Sequence, residues 1–196
     1  MPHYYNEKQT GPIKESNIKI EIEGDIKEFH SGSGVFSKDH LDNGSALLIN
    51  AANIEDNQEV LDLGCGIGVV GICLKLLNPD INITFSDTNE NAIKLTTKNC
   101  HLHNIKHTII KSDLFKNMKD KTFDTILTNP PYVAGRKICY QFIEESFKHL
   151  KKEGTLQLVA RHQKGGKMLQ QHMEETFGNV DVLKKGSGFR VYVSNR

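Results

Sequence analysis

No excess of charge, no paired cysteines and no long apolar run occur in this chain, and each absence removes a class of function. Lys and Arg number 25 against 24 Asp and Glu, a net charge of +1, so no global field draws the protein to a polyanion. Any contact with nucleic acid must therefore come from a local cluster. The four cysteines, Cys65, Cys73, Cys100 and Cys139, never stand as Cys-x-x-Cys, a spacing that suits neither a zinc site nor a small disulfide framework. Reduced thiols in a cytoplasmic protein are the expectation. No stretch is apolar over the length a bilayer demands, and the N-terminus, with His3, Tyr4, Tyr5 and Lys8, lacks a signal-peptide core. No membrane partner is expected, and no internal repeat appears.

What is present is a chain of 196 residues with 37% hydrophobic content, enough for one compact domain with a proper core. Residues 1–55 read as an N-terminal extension of β-hairpin, loop and helix packed on a core formed by 56–196. Its first part, to Ser16, reads as extended chain. Ile18, Ile20 and Ile22 then alternate with Lys19, Glu21 and Glu23, the period of a half-buried strand. Gly24-Asp25 turns the chain, and a partner strand over 26–30 is expected to lay this hairpin on one side of the main sheet. The segment 31–45 is rich in small residues. It reads either as a flexible crossing beside a ligand, with Phe36 as a hydrophobic lid, or as an ordinary connector. Asp42, Asn43 and Ser45 each offer an N-cap for a helix over 46–52.

After Gln58 the pattern changes to strands alternating with helices, which implies βα units and a parallel sheet. The spacing predicts strands over 60–63, 81–85, 108–111, 123–127 and 155–160, and helices over 69–77, 91–103, 138–150 and 166–177. Two last strands, 180–183 and 189–193, are too close for a crossover helix and must pair antiparallel. The fold class is α/β, a mostly parallel sheet with an antiparallel C-terminal hairpin and helices on both faces.

The chemistry begins at the first strand-to-helix turn, Asp62-Leu63-Gly64-Cys65-Gly66-Ile67-Gly68-Val69-Val70-Gly71. Its glycines let the chain turn tightly and let a ligand approach the peptide plane at a helix N-terminus. A nucleotide-like ligand is the inference, although Gly66-x-Gly68-x-x-Gly71 also satisfies the dinucleotide fingerprint of dehydrogenases. Asp87 closes the second strand about 20 residues on, where a carboxylate accepts both ribose hydroxyls or else caps the next helix. Two features favour a methyl donor over a dinucleotide. Asp62, directly before the glycines, orients the loop and attracts the amino group of S-adenosylmethionine, whereas pyrophosphate would be repelled. Ser112-Asp113, at the third strand end, either bonds the adenine amino group or caps a turn before Leu114.

Opposite that turn, the strand over 123–127 ends in Thr128-Asn129-Pro130-Pro131-Tyr132. Two prolines stop a strand abruptly, leaving a stiff ledge with an amide oxygen beside a flat ring. The ledge is a seat for a planar amino group. Cys65 reads as a packing residue, and His101 and His103, two apart on a helix, do not face each other, so no metal site with His107 is expected.

Taken in order, the glycine turn, Asp87, Ser112-Asp113 and Asn129-Pro130-Pro131-Tyr132 resemble a Rossmann-like class I S-adenosylmethionine-dependent methyltransferase acting on amino groups. Gly34-Val35-Phe36-Ser37, Leu41-Asp42-Asn43-Gly44 and Gly188-Phe189-Arg190-Val191-Tyr192 narrow the likeness to the catalytic domain of the small-subunit ribosomal RNA guanine N2-methyltransferase family, from about Tyr4 onward. The family's larger bacterial members carry a second, N-terminal methyltransferase-like domain, and this chain is expected to be the single-domain form. The resemblance implies S-adenosyl-L-methionine held by Phe36, Asp62, Gly64, Cys65, Gly66, Gly68, Asp87, Ser112, Asp113 and Asn129. It implies a catalytic Asn129-Pro130-Pro131-Tyr132 and an RNA partner, ribosomal RNA or the small ribosomal subunit. Tyr132, Arg136, Lys137, Arg161 and Lys164 are the expected substrate contacts, with His162, Lys167, Lys184 and Lys185 on the same rim. Adenine N6, a protein glutamine amide, or a non-enzymatic role in ribosome assembly stay open as alternatives.

Overall fold

The computed structural model describes residues 14–35 and 40–196. Strands β1 (Glu15–Ile22) and β2 (Asp25–Gly32) form a separate antiparallel ribbon, closed by the two-residue turn Glu23-Gly24 with φ of +50° and +85°. Positive φ at both turn residues matches the right-handed strand twist, which is why a glycine serves there. Ile18 and Ile20 are buried, as their alternation requires. The ribbon meets the rest of the molecule at helix α3 (Glu90–Leu102), so it covers the sheet through that helix. Buried Asn99 makes the joint: its Oδ1 accepts from His30 N at 2.7 Å, and its Nδ2 donates to His30 O at 2.9 Å. Phe29 lies fully buried against the His103 ring, 4.7 Å away.

The main sheet has seven strands: β3 (Glu59–Leu63), β4 (Asn82–Asp87), β5 (Thr108–Lys111), β6 (Phe123–Thr128), β7 (Leu150–Arg161), β8 (Asp181–Gly186) and β9 (Phe189–Asn195). Their spatial order is β5-β4-β3-β6-β7-β9-β8. The first five run parallel, and β9 lies antiparallel between β7 and β8. From β3 the chain winds outward through β4 and β5, then returns to lay β6 on the other side of β3. Between β3 and β6 the winding reverses, and ligands bind outside the carboxyl ends of strands at such a switch point. Thr128 Oγ1 donates to Leu63 O at 2.9 Å and ties the two strand ends together.

Helices α1 (Asn43–Ala51), α2 (Val69–Leu77) and α3 cover one face, with Leu48, Ile72 and Leu95 in its core. Helices α4 (Arg136–His149) and α5 (Lys167–Phe177) cover the other, where Phe142, Ile143, Leu169 and Met173 meet Leu156 and Leu158. Strand β7 begins at Leu150, five residues before the apolar run that marks it in the sequence, because Leu150 pairs with Phe123 ahead of a register shift. Gln157, wholly buried in β7, holds the end of α1: its Oε1 accepts from Asn53 N at 3.0 Å and its Nε2 donates to Asn53 O at 2.6 Å.

Candidate active site

The glycine turn between β3 and α2 is held on every side. The amides of Gly64 and Cys65 both donate to Ser86 O, at 2.8 and 3.0 Å. Gly66 N donates to Asp87 Oδ2 at 3.0 Å, and Thr96 Oγ1 donates to Gly66 O at 2.8 Å. Asn99 Nδ2 donates to Ile67 O at 2.9 Å, so the side chain that anchors the hairpin also anchors the turn. Gly68 starts α2 at φ +81°, where a Cβ would lie 2.8 Å from Thr96 Cγ2. Gly68 itself offers no side-chain cap, and amides at a helix start have no intrahelical acceptor. Gly71 N finds one in Asp62 Oδ2, and Val69 and Val70, just before it, line a cavity.

That cavity, of about 490 Å³, opens at the switch point. Asp62, Gly64, Cys65, Gly66 and Asp87 form its floor, Asn129, Pro130, Pro131 and Tyr132 one wall, and Arg161 part of its rim. These predicted residues the structure brings together. Asp62 is buried, and its Oδ2 accepts from Gly71 N at 2.9 Å. Burial raises its carboxyl from the ordinary 3.8 to about 7; the Gly71 bond opposes the rise and the Asp87 charge adds to it. Burial, with the charges of Asp87 and Asp62, pushes the Cys65 thiol up, which keeps it an unreactive packing residue; all four cysteines are buried and unpaired. Asp87 does not cap α3. Asn89 does, accepting from Asn91 N, while Asp87 Oδ1 accepts from Asn89 N at 2.8 Å.

The other expected residues stand apart. Ser112 joins β5 to β4 through its amide, which donates to Asp87 O at 3.0 Å, but its hydroxyl accepts from Asn117 N and Asp113 pairs with Lys116. Neither lines the cavity, and Gly68 does not line it either. Arg136 and Lys137 open α4, and Lys164 lies in the kinked turn His162–Gly166; all three are exposed. Phe36, the expected lid, lies outside the described residues.

At the ledge, the Pro131 carbonyl is taken by Ala134 N at 3.0 Å within the turn Tyr132–Ala134. The Pro130 carbonyl takes no part in that turn. Asn129 Nδ2 donates to Asp42 Oδ1 at 3.2 Å and to Ser45 Oγ at 3.1 Å. Its Oδ1 is thereby the atom left for a ligand. Tyr132 is fixed at both ends, its hydroxyl donating to Val159 O at 3.3 Å and its ring lying about 3.8 Å from where a Cβ on Gly165 would stand. Burial raises its phenol well above the ordinary range.

Sequence reasoning did not find Ile18, Leu41, Val133 or Phe189 in the cavity wall. Val133, 79% exposed beside Tyr132, was signalled only by being an apolar residue directly after the ledge. The Arg161 guanidinium lies over the Phe189 ring, 5.1 Å from its centre, at the pairing of β7 with β9. Nor did it find the grip of Asp42 and Ser45 on Asn129, since both read only as candidate helix caps.

A doubly wound sheet with its cavity at the switch point, floored by a glycine turn and a strand-end carboxylate, defines a nucleotide-cofactor enzyme architecture. The chain belongs to the methyltransferase small domain family, whose pattern it matches over residues 27–193. It is 36% identical over 192 residues to the uncharacterised protein YbxB of Bacillus subtilis, covering 96% of each chain. It is 37% identical to the ribosomal RNA small subunit methyltransferase C of Hamiltonella defensa, over 81% of this chain and 47% of that one. Among solved structures, the T. thermophilus 16S rRNA N2 G1207 methyltransferase in complex with AdoMet and guanosine superposes with a TM-score of 0.82 at 23% identity, over 94% of this chain and 51% of that one. The likeness at that identity shows the fold. This chain thus spans about half the length of the relatives named for ribosomal RNA.

Proposed function

We propose that this chain transfers a methyl group from S-adenosylmethionine to an aromatic exocyclic amine, the N2 amine of guanine in small-subunit ribosomal RNA. One observation carries the reading: Asn129, whose Nδ2 is already taken by Asp42 and Ser45, and Pro130 line the same cavity as the glycine turn with Asp62 and Asp87. The cavity fits the donor by size and by chemistry, offering helix-start amides and two buried carboxylates to a zwitterionic nucleoside. When bound, S-adenosylmethionine supplies an electrophilic methyl carbon on a sulfonium. Asp62 would hold its amino group and Asp87 its ribose hydroxyls, roles that their burial beside the turn supports. An exocyclic amine is a poor nucleophile because its lone pair is delocalised into the ring. Asn129 Oδ1 and the Pro130 carbonyl accept its two hydrogens, which favours a pyramidal nitrogen and aims the freed lone pair. Transfer then needs mainly alignment. Tyr132 stacks on the base, a contact worth roughly 1–3 kcal/mol that also holds an extruded nucleotide.

The acceptor class rests on the names of the relatives and on charge. Arg136, Lys137, Arg161, Lys164, Lys167, Lys184, Lys185 and Arg190 make no ion pair among the described residues. The pKa of His162 is lowered by burial and then by the charges of Arg190, Lys167 and Lys185, which places those cations close around it. Helix α5 runs from Lys167 at this end to Glu174 and Glu175 towards the other, whereas α4, which opens on Arg136 and Lys137, pairs Glu145 with Lys148 in its last turn. The chain is nearly neutral overall yet cationic at the cavity end, the local cluster that phosphate contact requires. Residues 14–35 and 40–55 act in this reading as an extension packed on the core, not a separate unit. No helix among the described residues is long and apolar enough to cross a membrane, and a cytoplasmic setting goes with a ribosomal substrate.

The test is methyl-labelled S-adenosylmethionine with unmodified small-subunit ribosomal RNA transcribed in vitro, free and assembled into subunits. Label is expected in N2-methylguanosine, and Asn129→Ala is expected to cut its rate about 100- to 1000-fold while the donor still binds. Label in adenine, DNA or protein would overturn the acceptor, and no uptake together with impaired subunit assembly in cells lacking the gene would overturn the enzymatic reading.

A further inference from the structure

The side chain that grips the acceptor is itself gripped. We propose that Asp42 is a positioning residue for methyl transfer, fixing the Asn129 amide so that its oxygen, and not its nitrogen, meets the acceptor amine. The inference rests on the role of Asn129 in the proposed methyl transfer.

An unrestrained Asn side chain has two amide orientations of nearly equal shape but opposite hydrogen-bonding character. One presents an acceptor to the substrate. The other presents N–H groups to the N–H groups of the amine, two sets of donors with nothing to receive them. Asn129 Nδ2 donates to Asp42 Oδ1 at 3.2 Å and to Ser45 Oγ at 3.1 Å, across 87 and 84 residues of sequence. Both amide hydrogens are thereby committed. In the flipped orientation the Asn129 oxygen would face Asp42 Oδ1, two acceptors with no proton between them. Ser45 alone could not make that choice, because a hydroxyl both donates and accepts and would tolerate either orientation.

Asp42 is in turn fixed. As N-cap of α1 its Oδ1 also accepts from Gly44 N at 2.9 Å and Ser45 N at 3.1 Å, and α1 is pinned to β7 through Gln157. A carboxylate at a helix N-terminus sits in the favourable field of the helix amides. Its bond to the Asn129 N–H also pushes electron density through the amide toward Oδ1, strengthening that oxygen as an acceptor. Capping is the rival explanation: Asp42 could be present only to start a helix. Ser caps about as well as Asp. Its side chain is one atom shorter and ends in a hydroxyl, so it cannot hold Asn129 in the same way. Asn at position 42 keeps both the cap and the acceptor oxygen.

The experiment compares Asp42→Ser, Asp42→Asn, Ser45→Ala, Asn129→Ala and the Asp42→Ser/Asn129→Ala double variant, using the labelled-methyl assay on assembled subunits. Asp42→Ser is expected to lower kcat about 10- to 100-fold, the cost of a misoriented catalytic group, with KM for the subunit, donor affinity and Tm unchanged. Asp42→Asn should recover most of the rate, and Ser45→Ala, which leaves the cap intact, should lose about fivefold, the worth of one neutral hydrogen bond. The double variant should be no slower than Asn129→Ala alone, because Asp42 acts only through Asn129. A readout without turnover accompanies these: the side-chain amide resonances of Asn129, identified by their absence in Asn129→Ala, should shift in Asp42→Ser and stay in Asp42→Asn. Wild-type kcat in Asp42→Ser beside a slowed Asn129→Ala overturns the positioning role and leaves the function reading standing. A further loss on top of Asn129→Ala, or a drop in Tm in proportion to the lost rate, makes Asp42 structural and also overturns it. Should Asp42→Ser not fold, Asp42→Gly takes its place, since glycine is also tolerated at an N-cap, and unchanged kcat and Asn129 resonances in that variant are the refuting result. Full activity in Asn129→Ala refutes the assigned role of Asn129 itself.

Discussion

Replacing Asp62 by Asn should make the protein more stable and a worse enzyme, and the two effects should separate with pH. The carboxyl is buried with one bond to Gly71 N, and its pKa stands at about 7 against 3.8 when solvated. The folded value is the higher one, so the unfolded chain releases this proton first as pH rises. The group's contribution to stability is whole below about pH 4, is lost as pH climbs toward 7, and changes no further above that. At about 1.4 kcal/mol for each pH unit, the loss totals about 4 kcal/mol, of which about 3 falls between pH 5 and pH 8. An amide keeps the oxygen that accepts from Gly71 N and carries no charge to desolvate. The Tm advantage of Asp62→Asn over the parent should therefore widen by roughly 5–10 °C from pH 5 to pH 8. Comparing the two pH values cancels any constant effect of the substitution. Calorimetric titration should meanwhile show S-adenosylmethionine binding weakened by about one to two orders of magnitude, the worth of one charge-assisted hydrogen bond. Parallel Tm curves for the two proteins would refute the burial argument, and unchanged donor affinity would refute the pairing of Asp62 with the donor's amino group.

Gly71→Ala is expected to lower stability by about 1–3 kcal/mol and to weaken donor binding, both read by urea unfolding and calorimetry. A Cβ there would lie 2.4 Å from Phe85 Cε1 and 3.1 Å from Asp62 Oδ2, so α2 must back away from β4 and take the turn with it. Tyr132→Phe removes only the bond to Val159 O and should cost about 1 kcal/mol in thermal unfolding while transfer persists, since the stacking ring remains. Charge reversal at Lys185 and Arg190 should weaken RNA binding in filter assays, and the slope of log affinity against log salt should fall by about 1 for each phosphate that the variant no longer neutralises.

Much of this fold was written in local pattern. The isoleucine alternation, the apolar runs that became β3 to β7, and the short gap between the last two strands each specify an element without reference to distant chain. The glycine turn was equally plain, because positive φ at Gly64, Gly66 and Gly68 and the closeness of Thr96 to Gly68 leave little choice of residue. What the sequence withheld is where faces meet. A period of two says that Ile18 and Ile20 are covered, and not that their ribbon docks on α3 through His30 and Asn99. Ser112 and Asp113 read as cofactor contacts by their place at a strand end, but their side chains turn to Asn117 and Lys116. Asp42 and Ser45 read as caps, correctly for Asp42, while their hold on Asn129 depends on α1 being carried across the sheet by Gln157, a partnership that no local window contains.

Asn99 binds the hairpin and the glycine turn with one amide group. Cutting the hairpin away would strand the interior donor and acceptor of that amide that now meet His30, at about 1–3 kcal/mol for each unmet group. The ribbon is therefore not a removable ornament, and heat should melt it together with the catalytic sheet in one transition. A change at His30, well away from the reacting atoms, should reach the glycine turn along that amide.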